Sequence, residues 1–165
     1  MNSFALWVAE SPLSQFIQQT LWVVPWIQII HICAIAVVMS SIFMIDLRIL
    51  NLTGHNQTMT QTARRFLPWL WSGLVVLAIS GSVLIIGEPV RSLDNAAFWI
   101  KMSLLLIGIV TTLWFQSTLH RNMAFWEENH ERRQFVRVLA VASFLVWVGI
   151  AVAGRWIAYS YVPNL

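Results

Sequence analysis

Four apolar runs, at about residues 22–50, 66–87, 97–119 and 135–159, constrain this chain more than any other feature. Each reaches the roughly 20 residues that a helix needs to cross about 30 Å of hydrocarbon. Backbone N–H and C=O groups in lipid must be satisfied within their own segment, so the runs predict helices and exclude open strands. The expected fold is all-α: an integral membrane four-helix bundle, built as a single membrane domain over residues 1–165. Composition agrees, because 58% of the residues are hydrophobic and only 10% are charged, with a mean hydropathy of +0.70. A soluble domain carries far more charge on its surface.

The basic residues give a topology. The loops fall near 51–65, 88–95 and 120–133. The first and third, with their flanks, hold Arg48, Arg64, Arg65, Arg121, Arg132, Arg133 and Arg137. The opposite side holds Arg91, Lys101 and Arg155. This asymmetry predicts that the first and third loops are cytoplasmic and both termini outside. It also accounts for the net charge of +3 as a topological signal and not a nucleic-acid surface. Trp22, Trp26, Trp99 and Trp156 form an outer aromatic belt, with Trp69 and Trp71 at the inner level. No cationic region precedes the short apolar stretch at the N-terminus and Glu10 follows it, so no cleavable signal peptide is expected.

Ser11-Pro12 reads as a helix start, with Ser as cap and Pro at the first position. Leu13, Phe16, Ile17, Thr20 and Leu21 recur at helical spacing opposite Gln15, Gln18 and Gln19. Residues 11–20 are therefore an amphipathic helix that either lies in the outer interface or extends the first span. Small residues four apart, Ala36 with Ser40, Gly108 with Thr112 and Gly149 with Ala153, allow close helix contacts, as do Gly73, Ser80 and Gly81. The one cysteine, Cys33, lies in the first span and has no internal disulfide partner.

Within the first run, His31 is an ionisable group surrounded by apolar residues, which is costly and marks a candidate site. Taking span centres near residues 36, 108 and 147, His31 falls about 7 Å above the midplane, Lys101 about 10 Å and Arg155 about 12 Å. Three cations or potential cations in one layer of the outer leaflet repel one another unless an anion or a metal-bound neutral imidazole intervenes. Alternatives exist for each alone: Lys101 and Arg155 snorkelling to lipid phosphates or Glu88, and His31 hydrogen-bonded across helices. Their coincidence favours a ligand. Haem b fits it, with His31 on the iron and Lys101 and Arg155 on the propionates. His120 lies about 25 Å from His31 in depth and cannot share that iron. The haem is then five-coordinate, has a sixth ligand other than histidine, or is completed by another protomer.

The segment Trp26-Ile-Gln-Ile-Ile-His31-Ile-Cys-Ala-Ile-Ala, with Asp46-Leu-Arg48-Ile-Leu, resembles the first span of small bacterial four-helix membrane proteins. Arg64-Arg65-Phe-Leu-Pro68-Trp-Leu-Trp-Ser-Gly73 with Ser80-Gly81 resembles their second span, and Phe98-Trp-Ile-Lys101 their third. The nearest resemblance is to a family of uncharacterised four-span proteins. More distantly the chain is similar to HemJ-type protoporphyrinogen oxidases and CopD-type copper-resistance membrane domains. The HemJ resemblance implies a haem b on His31 and an important Lys101; the expected location is the bacterial inner (cytoplasmic) membrane. The chain departs from HemJ at Trp114-Phe115-Gln116, where that family continues into a histidine-bearing stretch.

At the inner face, Asp46 is expected to pair with Arg64 or Arg65 as a structural anchor. His55 with Met59 and His120 with Met123 have spacings that suit a soft metal such as copper(I), a second metal reading. Glu128 and Arg132 are a favourable one-turn pair, which extends the third span into a solvated helix. No nucleophile–base–acid set, phosphate-binding glycine loop or zinc-spaced Cys/His set occurs. Two functions remain. One is a b-type haem protein of electron transfer or porphyrin-linked redox chemistry. The other is a non-redox membrane protein: a copper or small-solute permease component, or a subunit of a larger membrane assembly. A four-span transporter needs to oligomerise, so a homo-oligomer in the lipid bilayer is expected.

Overall fold

The structure, a computed structural model, describes residues 3–53, 58–121 and 130–160. These form seven helices: α1 (Ser3–Ala9), α2 (Pro12–Gln19), α3 (Val23–Ile49), α4 (Met59–Gly87), α5 (Pro89–Leu93), α6 (Ala96–Arg121) and α7 (His130–Ser160). No strand occurs among the described residues. The all-α four-helix membrane bundle is therefore the observed architecture. α3, α4, α6 and α7 each contain a stretch long and apolar enough to span a bilayer.

Local chemistry explains the boundaries. Ser11 caps α2 by accepting from the Ser14 N–H, and Pro12 occupies the first turn, where its missing N–H costs nothing. The chain then leaves helical geometry at Thr20, so α2 is a separate helix and not an extension of the first span. It packs on the end of α4, where the Ser14 hydroxyl donates to the Ile86 carbonyl at 2.6 Å. α4 begins at Met59 and not near residue 66, because Thr58 and Gln61 form a reciprocal capping box. The polar first turns conceal this start from a reading based on hydropathy. α1 and α5 were likewise hidden by their brevity. The loop near 88–95 contains α5, steadied by a 2.7 Å ion pair between Arg91 and Glu88.

α3 packs mainly on α4 and α6 mainly on α7, and contacts between α3 and α7 join the two hairpins. Val38, Ile42, Leu70, Trp147 and Ile150 make one buried cluster, and Ile45, Met59, Ala63, Leu67 and Phe115 another. The Trp71 indole donates to the Gln116 side-chain oxygen at 3.1 Å, linking α4 to α6 near the second cluster. Several of the small residues serve these internal contacts. A Cβ on Gly73 would stand 2.7 Å from Val38, and one on Gly108 would stand 3.1 Å from the Trp147 ring. Ala36 and Ser40, by contrast, are exposed on α3. The Glu128–Arg132 pair lies outside the described residues.

Candidate functional site

α3 carries His31 to the seam with α4, where it is half-buried opposite Ser80. Ser80 is only 3% exposed, and its hydroxyl makes two short contacts: 2.6 Å to the Val76 carbonyl and 2.7 Å to His31 Nδ1. The hydroxyl has one proton, and a carbonyl can only accept. The proton therefore goes to Val76, and Ser80 Oγ accepts from Nδ1–H. In a neutral ring this fixes the tautomer, leaving the lone pair on Nε2. Nε2 makes no hydrogen bond among the described residues. Gly81 completes the seat, since a Cβ there would touch His31 Cε1 at 3.4 Å.

Lys101, near the start of α6, is half-buried against α7. Its Cδ, Cε and Nζ lie over Gly154, 3.6–3.7 Å from where a Cβ would be. The stem is thus packed on bare backbone, as a snorkelling lysine packs on apolar surface. Arg155 follows Gly154 on α7 but is itself exposed. His31 and Lys101 are both half-buried, whereas Arg155 is exposed.

These residues suit one axial haem ligand with a cation nearby. A metal-binding histidine generally has its other ring nitrogen held by a hydrogen-bond acceptor, and Ser80 stands at that nitrogen of His31. No group of three His, Cys, Asp or Glu side chains converges among the described residues. Of the copper(I) set, Met59 is buried in the cluster with Ile45, Ala63, Leu67 and Phe115. His55, Met123 and the His120 side chain lie outside the described residues.

Asp46 is not anchored as the sequence suggested. Arg64 and Arg65 are exposed, and the Asp46 carboxyl accepts a hydrogen bond from Ser143 on α7 instead. Ser80 as the histidine's partner and Gly154 as the lysine's bed were the site residues that spacing alone did not reveal. Ser80-Gly81 stood out only as small residues, and the signal was their shared depth with His31 on the neighbouring span.

The fold and this seam define a multi-pass helical membrane protein with a polar site between its spans. The chain belongs to the family of unknown function DUF6644, which matches residues 4–160. No curated protein and no solved structure matches the chain.

Proposed function

We propose that the chain is a membrane-embedded b-type haem-binding protein of the bacterial inner membrane, acting in electron transfer or porphyrin-linked redox chemistry. The distant similarity to HemJ-type proteins points the same way. The observation that carries the reading is the Ser80-held tautomer of His31, which leaves Nε2 with a lone pair and no competing donor. Neutral imidazole in that state is a good ligand for haem iron. When bound, haem supplies one-electron chemistry.

The chain's own residues do the rest. Ser80 orients the imidazole, Gly81 gives it room, and Lys101 supplies positive charge for a propionate. Arg155, at a similar depth, offers a second cation at the surface of the bundle. With both termini outside, as the arginine distribution favours, the site lies in the outer leaflet. The half-buried position of His31 leaves a face that a second copy in a homo-oligomer would cover. Protein purified from haem-replete cells should show a Soret band that His31→Ala removes. Colourless wild-type protein under those conditions contradicts the proposal.

A further inference from the structure

Asp46 lies near the other end of α3, about 22 Å along the helix from His31. It is 5% exposed and sits within a span, yet its Oδ2 has no hydrogen-bond partner among the described residues. No arginine or lysine pairs with it among those residues. A buried carboxylate left so is expensive unless something positive meets it.

The surroundings indicate what that is. Asp46 borders a half-open cleft between α3, α6 and α7, with Thr111, Thr112 and Ser143 as its other polar lining residues and room for a water-sized occupant. The hydroxyl protons there are already committed. Thr111 donates to the Ile107 carbonyl at 2.8 Å and Thr112 to the Gly108 carbonyl at 2.9 Å. Ser143 donates to Asp46 itself. What the lining offers is hydroxyl oxygen lone pairs and one carboxyl group. Ile42, Ile45 and Leu70 close the apolar side.

We propose that this cleft is a binding site for one small hard monovalent cation of the sodium class. Asp46 supplies the charge, and Thr111 and Thr112 supply neutral oxygen ligands. Carboxylate and hydroxyl oxygens suit hard cations and disfavour soft metals. The single carboxylate matches a single positive charge, which argues against a divalent ion. Asp46 lines a water-sized space, which an ion needs and a proton does not.

The test is calorimetric titration of sodium chloride into the purified full-length protein in sodium-free choline buffer. Saturable binding of one Na⁺ per chain is expected. Asp46→Asn should abolish it, and Thr111→Val combined with Thr112→Val should weaken it about ten-fold or more while keeping the carboxylate. Helical circular dichroism of each variant separates lost binding from lost folding, and the threonine pair stands as the test if Asp46→Asn does not fold. Absence of Na⁺ binding in the folded wild type overturns the proposal. So does unchanged binding in either variant, or a protonated-carboxyl infrared band in sodium solution that Asp46→Asn removes.

Discussion

A serine that has given its only proton to a carbonyl can hold a histidine in just one tautomer. Ser80 does this for His31, and the consequence is measurable. Ser80→Ala leaves Nδ1–H without its acceptor and frees the ring to rotate, so haem affinity should fall about 10–100-fold while some binding persists. Haem titration into the apoprotein reads this directly, and an unchanged affinity would show that Ser80 plays no part. Lys101→Met keeps the stem on Gly154 but removes the charge. It should lower haem affinity by about 1 kcal/mol, the order of a partly exposed ion pair. His31, Lys101 and Arg155 were legible in the sequence because charge inside an apolar run stands out. Ser80 and the true partner of Asp46 were not, because serine is common in spans and hydrogen bonds between helices depend on rotation about each axis.

Helix packing sets that rotation. Gly73 places α4 against Val38, which belongs to the buried cluster joining α3, α4 and α7. Gly73→Ala puts a methyl where only 2.7 Å is available, against a Val38 that is itself fully buried. The substitution should destabilise the protein by about 1–3 kcal/mol, a cost of overpacking. Gly81→Ala meets His31 Cε1 at an ordinary 3.4 Å and should cost less. Thermal unfolding of the two variants, compared in one detergent, checks the order. Span existence was readable from hydropathy to within a residue or so for α3. The start of α4 was not, because Thr58-Met-Thr-Gln61 is polar and its helix is stabilised by a cap and not by lipid. The short α1 and α5 escaped for another reason: too few residues to show a period.

At the scale of the whole molecule, two hairpins, α3–α4 and α6–α7, meet along α3 and α7. One hairpin carries His31 on α3 and the other carries Lys101 on α6, 70 residues apart in the sequence. Packing shows that Lys101 lies over Gly154 while Arg155 is exposed. The arginine asymmetry also makes a claim about the whole chain. In a Cys33→Ser background, a cysteine at Ser92 should react with an impermeant maleimide on intact cells, and one at Thr53 should react only after lysis. The reverse pattern would place the His31 layer on the cytoplasmic side. The central claim, that His31 is an iron ligand, is tested most directly by the optical spectrum of the purified protein from haem-replete cells. A Soret band present in the wild type and absent in a folded His31→Ala variant is the expected result; a colourless wild type, or a band that survives His31→Ala, contradicts it.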